Sequence, residues 1–176
     1  MSRIYLDNAA TSWPKPDGVY AAIDHAQRVL GAPAGRGAYY EANDASRIVE
    51  HARTAAANLV NAPKSRNVAF TFNGTDSLST AILGLLKKGD HVVTTVVEHN
   101  SVLRPLNHLE AGGLIKVTCV GCDDEGFVNA DVLINAIKPE TRLLAVNHVS
   151  NVTGSIQPVE TLKERLAQLE NQRLVY

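Results

Sequence analysis

From residue 68 onward the sequence alternates short β-branched runs with longer amphipathic stretches, and this alternation constrains the fold more than any other feature. Four runs have the length and composition of strands: residues 68–72, 91–96, 114–119 and 142–146. A fifth run of the same kind occupies residues 173–176, where the chain stops. Strand–helix–strand repetition at this spacing predicts an α/β fold with a mostly parallel sheet and flanking helices.

The stretches between these runs predict helices over residues 77–88, 101–111, 130–137 and 159–170. Glycines follow the first two helices at residues 89 and 112, and Asn129 and Thr141 are turn or cap residues.

Residues 1–66 form a different kind of segment. An extended arm containing Pro14 and Pro16 precedes predicted helices over residues 17–30 and 42–61, which a glycine-rich loop joins. The predicted organisation is therefore an N-terminal arm with helices over residues 1–66, followed by an α/β segment over residues 67–176.

Charge and composition exclude several classes of partner. The chain of 176 residues has 17 Lys and Arg against 18 Asp and Glu, so its formal net charge is −1 and no strong field attracts nucleic acid or an anionic membrane. No apolar run approaches the roughly 20 residues of a membrane span, and the polar start does not resemble a secretory signal. We expect a cytoplasmic protein that binds neither nucleic acid nor membrane.

A glycine turn directly follows the first predicted strand and opens a helix at Asn73-Gly74-Thr75-Asp76. Free N–H groups at a helix N-terminus bind anions, and glycine lets a phosphate approach the backbone. The alternative is an ordinary helix start that Thr75 or Asp76 caps. The sequence has neither a P-loop nor a strand-linked G-x-G-x-x-G motif.

Two further strands are followed by polar residues, His99 after the second and Asn151 after the fourth. Ligands of open α/β sheets lie at the carboxyl ends of the strands, and histidine there can stack, transfer protons or bind metal. His99 has an alternative role as the cap of the next helix. Together with Thr75 and Asp76, these residues predict one site at the carboxyl edge.

Cys119 and Cys122 form a C-x-x-C pair. The sequence lacks a second pair of zinc ligands, and the acidic residues 123–125 oppose thiolate formation. We predict an incidental or structural role and no metal site, with a non-catalytic thiol or metal-binding domain as the alternative.

Four blocks in order resemble the class V aminotransferase family, in its cysteine desulfurase and selenocysteine lyase branch. They are residues 5–11 (YLDNAAT), 73–76 (NGTD), 97–106 (VEHNSVLRPL) and 148–154 (HVSNVTG). The resemblance implies the large domain of a pyridoxal-phosphate (PLP) enzyme with the aspartate aminotransferase fold, active as a homodimer.

The resemblance also implies roles for particular residues. Gly74, Thr75 and Asp76 match the phosphate cradle, His99 the catalytic residue that stacks on the pyridine ring, and Asn151 the residue that hydrogen-bonds the ring hydroxyl. The implied reaction removes sulfur from L-cysteine, giving alanine, and passes it to a possible sulfur-acceptor protein. Another class V aminotransferase or lyase activity, on a different amino acid, is the alternative.

Three departures from the family pattern matter. Asp76 stands where many relatives carry threonine, and neither cysteine matches the persulfide-forming cysteine of the family. The Schiff-base lysine of the family, with the aspartate that pairs with the pyridine nitrogen, matches no residue up to Tyr176. The resemblance therefore covers the N-terminal part of such an enzyme, and we expect this chain alone to be inactive.

Overall fold

The structure is a computed structural model that describes residues 3–169 and 173–176. The chain divides into two compact units between Phe70 and Thr71. The sequence-based boundary between residues 66 and 67 stays a prediction.

The first unit consists of an irregular arm and two helical segments. The helix α1 (Asp17–His25) continues into a wider turn over Ala26–Leu30, which ends where Gly31 takes a left-handed conformation with φ of 49°. The long helix α2 (Tyr40–Leu59) follows, and a short 3-10 turn occupies Ser65–Asn67. The predicted helices are thus present, with α2 beginning two residues earlier than expected.

The second unit contains a parallel three-stranded sheet in the order β2-β1-β3. The strands are β1 (His91–Thr95), β2 (Lys116–Val120) and β3 (Thr141–Leu144). The central strand β1 is buried along its whole length, as expected for a parallel strand covered on both faces. Val175 adds an isolated parallel bridge to Leu143 on the outer side of β3.

Four helices cover this sheet: α3 (Gly74–Leu85), α4 (Asn100–Ala111), α5 (Ala130–Asn135) and α6 (Val159–Leu166). Alternation along β1 separates two cores, because successive side chains of a strand point to opposite faces. Val92 packs with residues of α3 and α4, and Val93 packs with residues of α5 and α6. Helices therefore lie on both faces of the sheet, which confirms the predicted α/β architecture.

His91, on the central strand, makes side-chain hydrogen bonds to both neighbouring strands. Its Nδ1 lies 2.7 Å from Oγ1 of Thr141 on β3, and its Nε2 lies 2.8 Å from Oγ1 of Thr118 on β2. The side chain is buried, with 1% of its surface exposed. Burial, with a smaller effect of Lys138, lowers the pKa of His91.

One predicted strand is absent. Residues 68–72 form no strand in the described chain, and Phe72 exposes 97% of its surface. The composition favours an extended backbone, but a strand also requires a neighbour for its ladder, and this segment has none among the described residues.

Several helices also begin or end at residues other than those predicted. The helix α3 begins at Gly74, three residues before the predicted start, and α5 and α6 end at Asn135 and Leu166. The predicted end of the last helix, at residue 170, lies outside the described residues.

Candidate functional site

The turn before α3 places two free backbone donors at its N-terminus. Asn73, rather than Thr75 or Asp76, is the N-cap, and its Oδ1 accepts a hydrogen bond of 2.9 Å from the Asp76 N–H. The N–H groups of Gly74 and Thr75 donate no hydrogen bond within the described chain. Free N–H groups of this kind at a helix N-terminus can donate to an anion, and the predicted anion site stays a prediction.

The carboxylate of Asp76 is engaged with the chain that precedes the helix. Its Oδ2 accepts a hydrogen bond of 3.3 Å from the Phe72 N–H. A carboxylate next to a bound phosphate would repel it, but this contact occupies one Asp76 oxygen with a backbone donor. We assign Asp76 to fixing the turn, in addition to its predicted place in the cradle.

His99 caps α4 with its ring. Its Nδ1 accepts a hydrogen bond of 3.1 Å from the Ser101 N–H and lies 2.7 Å from the Ser101 hydroxyl. The capping role that the sequence left open is therefore present. Because Nδ1 accepts, the neutral ring carries its proton on Nε2.

Thr75 and His99 line the same groove, between the N-terminal turns of α3 and α4. The groove is open to solvent and has a volume of about 320 Å³. Its wall includes Thr75, Ser79, His99, Ser101, Arg104 and Pro105. Two helix N-termini facing one groove produce a positive potential there.

Arg104 and Ser79 are groove residues to which the sequence analysis gave no role. Arg104 is exposed and makes no ion pair within the described chain, so its charge adds to the positive potential of the groove. The helical spacing could have indicated both: Ser79 lies four residues after Thr75, and Arg104 three after Ser101, and such residues share a helix face.

Asn151 lies at the tip of a hairpin over residues 148–157, which we call the Asn151 hairpin. Val149 and Ile156 form an antiparallel bridge, and the Ser150 hydroxyl accepts 3.2 Å hydrogen bonds from the N–H groups of Val152 and Thr153. Asn151 is exposed and is not part of the groove wall. The structure thus brings Thr75 and His99 together, while Asn151 stands on a separate loop beyond β3.

Glu98 is a third residue that the sequence analysis did not single out. Its Oε1 accepts hydrogen bonds from the Asn147 N–H at 2.5 Å and from the Thr95 hydroxyl at 3.0 Å. Burial raises the pKa of this carboxyl group, against the lowering effect of the two donors.

Both cysteines are free and exposed. The Cys119 residue is exposed, but its sulfur is partly desolvated, and this desolvation together with the nearby Glu98 carboxylate raises the pKa of the thiol. Among the described residues no group of three or more His, Cys, Asp or Glu side chains could hold a metal ion. No helix in the described ranges is long and apolar enough to cross a membrane.

A parallel sheet with helices on both faces, with the N-terminus of α3 beside the loop that follows β1, defines an α/β protein with its candidate site at a position where such folds commonly place one. The class-V aminotransferase family model matches residues 4–175. The chain therefore belongs to the class-V aminotransferase family, which confirms the resemblance read from its sequence.

Its relatives are named cysteine desulfurases. Cysteine desulfurase IscS of Clostridium botulinum is 32% identical over 166 residues, which are 92% of this chain and 41% of that protein. A probable cysteine desulfurase of Pyrococcus abyssi is 39% identical over 163 residues, 90% of this chain and 40% of that protein.

Solved structures agree with the predicted fold. The apo cysteine desulfurase of Thermococcus onnurineus NA1 superposes with a TM-score of 0.84 at 35% identity, covering 93% of this chain and 41% of that one. A structure of SspA in complex with cysteine has a TM-score of 0.82 at 28% identity, covering 93% and 47%. The chain thus spans less than half the length of these relatives.

Proposed function

We propose that this chain is the N-terminal part of a PLP-dependent cysteine desulfurase-like enzyme, in which the groove between α3 and α4 holds the cofactor. The observation that carries the proposal is that Thr75 and His99, two residues with predicted cofactor contacts, line this one groove. The names of the relatives support cysteine as the substrate class.

The residues present fit the phosphate and the ring of PLP. A phosphate dianion would find hydrogen-bond donors in the free N–H groups of Gly74 and Thr75 and in the Thr75 hydroxyl. The Arg104 guanidinium adds positive charge to the same groove. Gly74 contributes to the fit because the space beside its Cα is open: a Cβ built there meets no atom within 4 Å. Since glycine has no side chain to fill this space, a phosphate can approach the backbone of the turn.

His99 contributes an imidazole whose orientation is fixed. With Nδ1 engaged by Ser101, the ring can stack on an aromatic ligand while Nε2–H faces a reacting group. We propose that Asn151 hydrogen-bonds the ring hydroxyl of the cofactor from its hairpin. When bound, PLP supplies an electron sink that weakens the bonds at the substrate α-carbon.

The proposal extends to the whole protein. We infer a cytoplasmic homodimer that takes sulfur from L-cysteine, leaves alanine, and passes the sulfur to an acceptor protein. Another class V activity on a different amino acid remains the second candidate, because the residues of this groove serve cofactor binding rather than choice of substrate. Bound zinc in the purified chain would instead favour the thiol or metal-binding alternative.

The phosphate cradle can be tested with pyridoxamine 5′-phosphate, which has the phosphate and ring of PLP but forms no covalent bond to lysine. Thr75→Val removes one hydroxyl donor to a charged acceptor, worth roughly 1.5–3 kcal/mol, so binding should weaken roughly ten- to hundredfold. Thr75→Ser keeps the hydroxyl and should bind as the original chain does. Equal affinity for the valine and serine variants would contradict the cradle.

A second experiment tests the absence of a family-type lysine among residues 1–176. After mixing with PLP and reduction with borohydride, peptide mapping should find no lysine labelled stoichiometrically, and cysteine should not be turned over. Stoichiometric labelling of one lysine accompanied by turnover would contradict this part of the proposal.

A further inference from the structure

The Glu98 carboxylate connects the loop that follows β1 to the chain that follows β3. One contact, to the Thr95 hydroxyl, lies within its own loop, whereas the other, to the Asn147 N–H, reaches the chain beyond β3. Glu98 is half-buried and has no ion-pair partner within the described chain. It is thus a partly desolvated charge stabilised by two neutral donors, an arrangement that carries a cost unless the contacts are maintained.

The contact continues the pairing of β1 with β3 past the ends of both strands. The Ala145 N–H donates to the Val93 carbonyl at 3.0 Å, and the Thr94 hydroxyl donates to the Ala145 carbonyl at 3.0 Å. Val96 then turns to the other neighbour, where its N–H donates to the Val120 carbonyl. From that point, Glu98 provides the link from the β1 side to the chain after β3.

One end of this link is adjacent to His99, and the other is adjacent to the hairpin that carries Asn151. Glu98 directly precedes His99, and Asn147 directly precedes the Asn151 hairpin. The hairpin is internally fixed, since the Gln157 N–H donates to the His148 carbonyl at 2.8 Å and Ser150 closes the turn. We therefore expect a displacement of Asn147 to move the hairpin, and Asn151 with it.

We propose that Glu98 is a positioning residue that sets His99 and Asn151 relative to each other. This rests on the proposed function in one respect, namely that both residues contact one cofactor ring. The link itself is a property of this chain that can be tested without any ligand.

Ionisation of Glu98 should control the link, because a carboxylate accepts hydrogen bonds more strongly than a neutral carboxyl group does. The groups that face it are the Thr95 hydroxyl, the Asn147 N–H and, from β2, the Cys119 thiol. Burial raises the pKa of Glu98, so its titration is separated from that of exposed glutamates.

The test follows backbone amide signals of the ¹⁵N-labelled chain by NMR as the pH is lowered. We expect the Asn147 amide to shift with a midpoint above that of exposed glutamates, and the His99 and Asn151 amides to show a component with the same midpoint. Glu98→Gln should remove that component from all three signals, and the control Glu160→Gln, at an exposed position on α6, should leave it. Titration of Asn147 without any response at Asn151 would overturn the proposal.

Thr95→Val provides a second variant of nearly unchanged shape. It removes one donor to the carboxylate, so the common midpoint should rise further while the three signals still move together. An unchanged midpoint would mean that Glu98 is not the titrating group, and the proposal would fail even if Glu98→Gln does not fold.

Ligand binding separates this proposal from the proposed function. Glu98→Gln should weaken pyridoxamine 5′-phosphate binding by up to about tenfold, the value of one neutral hydrogen bond, and leave inorganic phosphate binding unchanged. If the original chain binds neither ligand, the proposed function fails, whereas the positioning role is still decided by the amide titration. Equal weakening of both ligands would contradict a role directed at the ring.

Discussion

The ring of His99 and the polar groups of Ser101 form a closed contact at the start of α4, with Nδ1 lying 3.1 Å from the Ser101 nitrogen and 2.7 Å from its hydroxyl oxygen. One residue therefore satisfies a free donor of the helix and also presents its ring to the groove. These two roles use different parts of the imidazole, so substitutions can separate them.

His99→Ala should lower the free energy of unfolding by about 1 kcal/mol, because the helix loses its N-cap. His99→Asn supplies a side-chain oxygen at the same place and should retain most of that stability. Both variants should bind pyridoxamine 5′-phosphate less tightly, because both lose the ring. Urea unfolding followed by circular dichroism measures the first effect, and equal destabilisation by Ala and Asn would argue against capping.

The alternating pattern predicts most of the second unit correctly. The run at 91–96 contains β1, and the runs at 114–119 and 142–146 overlap β2 and β3 to within two residues at each end, because each run combines β-branched residues with an adjacent helix to cover it. The run at 68–72 has the same composition but forms no strand. Composition records a preference for extended backbone and carries no information about whether a neighbouring strand exists.

The local backbone of the candidate site was predictable where a motif fixes its shape. The glycine turn before α3 indicates an anion site, but the capping residue is Asn73, since the helix begins three residues earlier than its periodicity suggests. The contacts of Glu98 could not be predicted from the sequence, because they depend on partial burial and on a donor, the Asn147 N–H, that lies 49 positions away. Contacts of this range require the assembled sheet.

The stability of the chain should depend on pH through His91. Its pKa is lowered in the folded protein and lies near 6.5 in the unfolded chain, so below that pH the unfolded chain binds more protons. Stability should therefore be full above pH 6.5 and fall as the pH drops towards the folded value, by at most about 1.4 kcal/mol per pH unit.

His91→Gln is the matched variant, because an amide can hydrogen-bond Thr118 and Thr141 but does not titrate between pH 5 and 8. The difference in unfolding free energy between the original chain and this variant should decrease from pH 7 to pH 5. Since Glu98 is present in both, its own titration cancels in that difference. A constant difference over this range would exclude the predicted effect of His91.

Cys119 should react slowly with iodoacetamide, because the thiolate is the reactive form and partial desolvation of the sulfur, together with Glu98, raises the pKa of its thiol. In a Cys122→Ser background, which leaves one thiol, Glu98→Gln should accelerate alkylation of Cys119 at pH 8. The matched substitution Glu160→Gln should not change the rate. Mass spectrometry of the alkylated peptide gives the rate, and the prediction is wrong if both glutamine variants react alike.

The amides of residues 69–71 should exchange with solvent almost without protection. Their N–H groups donate no hydrogen bond within the described chain, and the neighbouring side chain of Phe72 is almost fully exposed. Amides of the buried strand β1, at Val92 and Val93, serve as the internal control and should be strongly protected. Hydrogen exchange read by NMR resolves both segments in one sample. Strong protection at residues 69–71 in a monodisperse monomer would contradict this prediction. It would mean that the backbone of this run finds hydrogen-bond partners within the chain itself.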